Sequence, residues 1–409
     1  MTADVKVDIA IVGAGMVGLT LANLLVKQGK TIAIIDRNQV AAFEDHQEVQ
    51  SRVTAVSPGS QAIFEYVGAW AAMAEKRVSA FTNMHVWDEE GDSNIQFNAN
   101  DMDRNNLGHI VENFVIQTSL HEALQQQSNV EWFLPELIRK ANTFQDHIEV
   151  ELESGTVISA KLLVGADGGR STVRNLAEIA YSEKSYQQMG LVALIETEHS
   201  HENTAWQRFL STGPLALLPV NQDAANNPKK NKQCSIVWSV SEDYADELMK
   251  LNEHEFADAL TQASDMQLGN ITLKSKCAAF PLISGQAESM VQPRIALVGD
   301  AAHALHPLAG QGANLGFTDA AVLADVLEQT ERDIGSLKVL RKYERARVGE
   351  TQIMQTAMDS FVKVFGTNNR AVVAARNVAL QTADSIQPVK KFFMKHAMGL
   401  SKDRPTYAR

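Results

Sequence analysis

The run Gly13-Ala14-Gly15-Met16-Val17-Gly18 constrains this chain more than any other feature, because of what stands on either side of it. Residues 5–12 are a β-branched run with an acidic break at Asp8, which reads as a buried strand. Residues 19–27 carry a helical pattern that Gly29 stops, and residues 31–35 form a second apolar strand ending in Asp36. A strand, glycine turn, helix and strand within about 30 residues is the context in which the glycine pattern signals dinucleotide binding. In that context Gly13 permits the tight turn, Gly15 lets the backbone approach a pyrophosphate, and Gly18 allows close packing of helix on strand. The helix start then offers free N–H groups and the positive end of its dipole. Asp36 stands where it can accept hydrogen bonds from a ribose hydroxyl, whereas the adjacent Arg37 could suit a phosphate, so the nucleotide stays open. The bland alternative is a purely structural glycine turn.

Two later blocks extend the pattern. Residues 294–298 read as a buried strand that delivers Asp300, within Gly299-Asp300-Ala301-Ala302-His303, to its carboxyl end, where α/β sheets bind ligands. After His306-Pro307-Leu308-Ala309 comes Gly310-Gln311-Gly312-Ala313-Asn314, opening a helix predicted over 315–328. Gly310 and Gly312 would let backbone approach a flat ring, and the helix start would favour negative charge there. His303 and His306 are candidates for catalysis, against the plainer role of loop hydrogen-bonders. The other block is Gly165-Ala166-Asp167-Gly168 with Arg170 and Arg174, after a strand predicted over 162–164. Asp167 could bind a hydroxyl or simply cap the next turn as an Asx residue.

The remaining pattern bounds the architecture. A length of 409 residues favours two domains with an appendage. Helices are predicted over 57–67 and 117–126, and hairpins over 84–97 and 148–160. From about 186 to 280 the pattern turns to short alternating segments, 190–195, 206–210, 215–220 and 234–240, which predict a mostly antiparallel sheet. Helices near 244–251 and 255–263 would cover it, and the polar stretch 221–232 reads as a solvent loop. A long helix is predicted over 337–364. No flexible linker separates the blocks, so interleaved domains are expected.

Composition excludes some classes. A net charge of −12 argues against general nucleic-acid binding. Cys234 and Cys277 are the two cysteines, far apart, which gives no disulfide framework and fits a reducing cytoplasm. No metal-ligand spacing is present. The opening 15 residues lack the charged and apolar regions of a secretory leader, and no apolar run reaches about 18 residues. The basic, apolar stretch Lys390-Lys391-Phe392-Phe393-Met394-Lys395 could rest on an anionic membrane or pack on the body or another subunit.

These three glycine blocks, in this order and spacing, resemble the aromatic hydroxylase class of FAD monooxygenases. More narrowly, residues 107–113, 234–239 and 306–312 resemble the ubiquinone-biosynthesis hydroxylases, of the 2-octaprenylphenol hydroxylase type, and the likeness covers nearly the whole chain. The resemblance implies a Rossmann-like α/β FAD-binding domain, residues 1–80, 99–185 and 281–365. A mostly antiparallel β-sheet substrate domain, 81–98 and 186–280, would be interleaved with it, and a C-terminal helical segment, 366–409, would follow. It implies FAD contacts at Gly13, Gly15, Gly18, Asp36, Arg37, Arg52, Gln117, Asp167, Asp300, Gly310, Gly312, Ala313 and Asn314, with Asp300 on the ribitol. Asp36 stands where glutamate is more usual, and Ala304 and Ala313 stand where the branch often has threonine and valine. The implied activity is hydroxylation of a polyprenylated phenol with NAD(P)H as co-substrate and O2. The flavin would carry the chemistry, with His303, His306 and Pro307 as candidate helpers. Phe209, Leu215, Leu217, Trp238 and Phe280 could line a substrate pocket or be plain core. Implied partners are the prenylated phenol and O2. Other ubiquinone-biosynthesis proteins, a homo-oligomer and peripheral contact of a cytoplasmic protein with the inner membrane are left open. The rivals are an oxidase or prenyl reductase, and a non-catalytic flavoprotein within a biosynthetic complex.

Overall fold

The computed structural model describes residues 3–44, 47–90, 94–220, 231–305, 310–365, 390–391, 394–395, 398–400 and 404–408. The chain begins β1 (Val5–Val12), α1 (Met16–Lys27), β2 (Ile32–Ile35), as the glycine motif requires. It continues β3 (Val53–Val56), α2 (Pro58–Val67), α3 (Trp70–Lys76), β4 (Ser79–Phe81), the hairpin β5 (Asn83–Asp88) and β6 (Asn94–Asn98), and β7 (Gly108–Glu112). Then follow α4 (Asn113–Gln125), β8 (Val130–Phe133), β9 (Ile138–Thr143), β10 (Ile148–Leu152), β11 (Val157–Gly165) and α5 (Thr172–Leu176). The next stretch holds β12 (Tyr181–Thr197), β13 (Thr204–Leu210), β14 (Gly213–Val220), β15 (Gln233–Ser241), α6 (Glu242–Leu248), α7 (Glu253–Ala263), β16 (Ile271–Leu273) and β17 (Ala278–Ala287). Last come β18 (Val291–Gln292), β19 (Ile295–Leu297), β20 (His303–Ala304), α8 (Gln311–Glu328) and α9 (Leu337–Phe365).

Three sheets result. In the first, strands run β18-β19-β11-β1-β2-β8, with β10 and β9 added beside β11. Its centre, β19-β11-β1-β2, is parallel. A parallel sheet is covered by helices on both faces, so its strands are apolar throughout. All four residues of β2 are accordingly buried, and Ile9, Ala10 and Ile11 of β1 are fully so. The segments expected at 157–160 and 162–164 are one strand. Its first half pairs with β10 and its second with β19 on the same edge, so the exposed Lys161 interrupts nothing. The helix expected from Gln117 starts at Asn113, a turn earlier, so Gln117 lies inside it.

The second sheet runs β20-β17-β12-β15-β14-β13-β5-β6, with β16 also on β12. Its pairings are antiparallel except β13 with β5, as the alternating pattern predicts. α6 and α7 cover one face, burying Leu248, Phe256 and Leu260 against it. The opposite face meets the small third sheet, β3-β7-β4, through Leu194 and Val220 packed with Ile110 and Val49. Ser235 Oγ also donates to the Ser51 carbonyl across this seam at 2.7 Å. Much of the C-terminal segment, 366–389, lies outside the described residues, as do Phe392 and Phe393. Of the described remainder, Lys390, Met394 and Met398 are buried, near Phe97, Ala99 and Leu107, while Lys391 and Lys395 are exposed.

Two buried histidines set a pH response. His109 on β7 stacks edge-on against Trp70, and its Nδ1 has no hydrogen-bond partner among the described residues. His201 is fully buried, and its Nε2 is likewise unpartnered while Nδ1 accepts from the Asn203 N–H at 3.1 Å. Burial pushes both imidazoles down to about 4. Unfolding frees them to bind protons near the ordinary value, so between roughly pH 6.5 and 4 the unfolded state takes up protons that the folded state refuses. Folding stability therefore decreases as the pH is lowered through that window, by at most about 1.4 kcal/mol per pH unit for each histidine. His109→Gln is expected to remove one such increment. Denaturation midpoints of the wild type and the variant across the window measure it, and parallel pH profiles would contradict the assignment.

Candidate active site

The parallel strands converge their carboxyl ends on one edge of the first sheet. Gly13 follows β1, Asp36 follows β2, the Asp167 turn follows β11, and Asp300 follows β19. This is the edge on which an α/β sheet binds ligands.

The glycine turn is built as its spacing predicts. Gly13 has φ +112°, and a Cβ there would lie 2.3 Å from the Ala166 carbonyl oxygen. A Cβ on Gly18 would lie 1.9 Å from the Gly13 carbonyl oxygen. Neither position can hold another residue without moving backbone. Gly15 differs: a Cβ there would meet nothing within 4 Å. The gap in front of α1 is therefore open at the point where a pyrophosphate would approach. Asp36 Oδ2 accepts from the Ala14 N–H at 2.8 Å, and Oδ1 from the Asn38 N–H at 2.8 Å. A carboxylate offers about four acceptor sites, so room for a ribose hydroxyl remains. Arg37 beside it is exposed. Gln117 Nε2 donates to the Ala14 carbonyl at 2.7 Å.

In the second fingerprint, Asp167 Oδ2 accepts from the Thr172 and Val173 N–H groups at 2.6 and 3.3 Å, which is the Asx cap. Its Oδ1 is buried with no hydrogen-bond partner among the described residues, leaving an acceptor for a ligand hydroxyl. Arg174 is buried, unlike the exposed Arg170. Its guanidinium bridges the carbonyls of Gly169 and Ala301 at 2.6 and 2.9 Å and lies 3.6 Å from the centre of the Tyr181 ring.

Asp300 sits in a single tight turn after β19, started by Gly299 at φ +59°. Its side chain reaches solvent at the cleft edge. Surrounding protein disfavours its charge and the nearby Asp319 adds to this, so its pKa is raised, although His303 and Arg52 pull the other way. Arg52 is exposed on the cleft side, 6.0 Å from the centre of the Phe280 ring. Gly310, at φ +63°, precedes α8 and nearly touches Ala55, whereas Gly312 faces open space. Asn314 is buried and acts as a strut. Its Oδ1 accepts from the Ser57 N–H and Ser60 Oγ, and its Nδ2 donates to the Ala55 carbonyl. Ala313 is half-buried against the first sheet's core. His306 and Pro307 lie outside the described residues.

Other candidates lie apart from this cleft. Leu215, Leu217 and Trp238 are in cross-strand register and belong to the core beneath α6 and α7, where Trp238 meets Tyr244 and Phe256 edge-on. The alternate residues of those strands, such as Leu218, turn toward the third sheet. Phe209 packs with Val86, Ile95 and Met358 in another cluster. Of the five pocket candidates, only Phe280 lies beside Arg52. His303 is 3% exposed, with Nε2 directed 2.7 Å from Asp319 Oδ2 rather than into the cleft.

Sequence reasoning missed several buried charges. Asp319 and Arg347 form an ion pair at 2.6 Å, and Arg77 pairs with Glu112 at 2.7 Å. Glu112 Oε2 also accepts from the Gln50 N–H, and Arg77 donates to the Gln47 carbonyl, fixing the approach to Arg52. The signal was present in part. Asp319 stands among Phe317, Ala320, Ala321 and Leu323, an apolar run in which a buried carboxylate requires a partner in the fold.

The cleft thus has the parts of a flavoprotein's nucleotide site: an open glycine turn and three acids, Asp36, Asp167 and Asp300, at the ends of β2, β11 and β19. In agreement, residues 6–357 match the family described as "FAD binding domain". The chain is 34% identical over 397 residues to 3-demethoxyubiquinol 3-hydroxylase of Escherichia coli (strain K12), covering 96% of this chain and 98% of that protein. It is 33% identical over 443 residues to the mitochondrial ubiquinone biosynthesis monooxygenase COQ6 of Danio rerio, covering 95% and 89% respectively. Its fold superposes on pqsL, a probable FAD-dependent monooxygenase from Pseudomonas aeruginosa, with a TM-score of 0.75 at 22% identity, covering 90% of this chain and 99% of the other. The protein is an FAD-dependent monooxygenase of the aromatic hydroxylase class. It belongs, within that class, to the family of ubiquinone-biosynthesis hydroxylases.

The two glycines of the turn make a clean contrast. Gly15 has an extended backbone that any residue adopts and free space ahead of it. Gly15→Val is therefore expected to fold, with an unchanged circular dichroism spectrum, yet to be purified with less than about a tenth of the wild-type flavin, because its side chain fills the phosphate approach. Gly13→Ala, forced against the Ala166 carbonyl, is expected to lose folded yield. Full flavin content in Gly15→Val would place the pyrophosphate elsewhere.

Proposed function

We propose that the protein uses NAD(P)H and O2 to hydroxylate the ring of a polyprenylated phenol in ubiquinone biosynthesis. The observation that carries this is the match, along nearly the whole chain, to two proteins whose names place them in ubiquinone hydroxylation. The geometry of the cleft supports it.

In this reading Gly13, Gly15 and Gly18 bring α1 to the pyrophosphate, and Asp36, with Arg37 beside it, holds the adenosine ribose. Asp300 binds ribitol hydroxyls, for which its accessible carboxylate at the end of β19 is placed. Asp167 offers its spare oxygen, and Arg52, from the other side of the cleft, lies within electrostatic reach of Asp300. Gly310, Gly312 and Ala313 present the start of α8 to the flat ring, where the helix dipole favours negative charge. Asn314 and Gln117, beside the same cleft, also hold these backbones in place. The chemistry supplied by bound FAD is hydride uptake from NAD(P)H and activation of O2, one oxygen atom going to the ring and the other leaving as water.

The phenol belongs between α8 and the face of the second sheet that carries Phe280. A half-buried aromatic ring beside an arginine gives such a site an apolar wall and a cation to attract a phenolate. In this reading residues 1–80, 99–185 and 281–365 serve FAD, and 81–98 with 186–280 serve the phenol, while β12, β17 and β20 of the second sheet extend across those bounds at 181–185, 281–287 and 303–304.

The test is oxidation of NADH and NADPH by the FAD-loaded protein, with and without a short-chain prenylated phenol. At least about tenfold stimulation is expected, within the range of substrate effects on positioned reactions, together with a product heavier by one oxygen atom. Unstimulated oxidation and unaltered phenol across prenylated phenols would overturn the reading.

A further inference from the structure

Asp300 presents its carboxylate from a turn only a few residues long, and a single buried group holds both ends of that turn. Asp319, on α8, is fully buried. Its Oδ2 accepts from the Gly299 N–H at 2.9 Å and lies 2.7 Å from His303 Nε2, so residues on both sides of Asp300 meet at one oxygen. Its Oδ1 accepts from Arg347 Nε of α9 at 2.6 Å, and Arg347 is itself 1% exposed and also reaches Glu350. The same helix adds a second tie, since Tyr343 OH donates to the Leu297 carbonyl at the end of β19. On the far side of the turn, Arg174 donates to the Ala301 carbonyl.

We propose that Asp319 is a positioning residue for FAD: clamped by Arg347, it holds Gly299 and His303 and so orients Asp300 toward the ribitol. His303 is part of the clamp and not an acid or base acting on substrate, because its ring is engaged in the core. The proposal rests on the reading that Asp300 binds FAD. The physical argument is preorganisation. An accessible carboxylate on a turn only a few residues long is aimed only as well as the backbone of that turn is fixed, and Asp319 fixes it on both sides of Asp300. Asp319 does not itself lose its charge in the process, since His303 and Arg347 overcome its burial and hold it down to about 2. Asp319 thus serves as an acceptor at both oxygens, Oδ2 for Gly299 and His303 and Oδ1 for Arg347.

The experiment measures FAD affinity of the reconstituted protein by flavin fluorescence, with far-UV circular dichroism as the fold control. Asp300→Asn alone tests the underlying reading: unchanged affinity there would remove Asp300 from the site, whatever the clamp does. With that established, Asp319→Asn is expected to weaken FAD binding about tenfold or more, as loss of a supporting residue does. In the Asp300→Asn background the same change is expected to have little further effect, because it acts through Asp300. Equal losses in both backgrounds, or no loss in the wild-type background, would overturn the proposal. If Asp319→Asn does not fold, the His303 pair decides. His303→Gln keeps an N–H donor for Asp319 and is expected within about threefold of wild type, whereas His303→Leu is expected to lose about tenfold. Equal FAD affinity in both, with equal loss of turnover, would instead make His303 catalytic and sink the clamp.

Discussion

Both peptide groups of Ala14 are held by side chains that arrive from elsewhere, and the flavin half is organised around that fact. The Ala14 N–H goes to Asp36, at the end of β2, and its carbonyl takes the amide of Gln117 from α4. The flanking backbone is fixed as well, with Gly13 bonded to Ile35 and Ala166 to Val12. A turn at positive φ carries no regular ladder of its own, so its polar groups must be satisfied by neighbours. Here the neighbours are the tip of the adjacent strand and an overlying helix. The result is a turn whose shape is decided before any ligand arrives, with Gly15 left facing open space.

The same arrangement recurs at the other strand ends, with different residues. Asp167 caps its own helix, Asn314 ties α8 to β3 and α2, and Asp319 gathers the turn that carries Asp300. In each case a polar side chain spends its hydrogen bonds on backbone. A site that binds a long, flexible cofactor gains from this, because conformational freedom lost on binding lowers affinity, and loops that are already ordered have little left to lose. It also explains the cluster of buried charges behind the cleft. Removing one partner of such a pair costs several kcal/mol, so these groups persist only together.

These particulars show what a single sequence can carry. The strand, glycine turn and helix at residues 5–27 were legible because their periods are local, and Asp300 was legible because a buried strand ends beside it. Asp36 and Gln117 were legible as positions but not as contacts: nothing local says that both turn to Ala14. Leu215, Leu217 and Trp238 could be read only as pocket lining or plain core, because alternation assigns residues to two faces without saying which face meets the helices. That choice is made by α6 and α7, whose apolar residues cover this set. The third sheet went unread because its strands are three to five residues long, too short for a period to register.

His303, Asp319 and Arg347 are the sharpest case. They are separated by 16 and 28 residues, on a short strand and two helices, and only the crossing of α8 and α9 brings them together. Read alone, a histidine after Asp-Ala-Ala invites a catalytic role. Read with its partner, it is one of two side chains that donate to a carboxylate buried beneath the cleft. Arg347 belongs to a helix face on which Tyr343 and Glu344 also turn inward, toward the Leu297 carbonyl and the Met290 N–H. Three polar residues on the inner face of a helix are costly unless each has a waiting partner. Each has one here, and all three partners lie at or beside β18, β19 and α8, so the long C-terminal helix braces the strand end from which Asp300 projects.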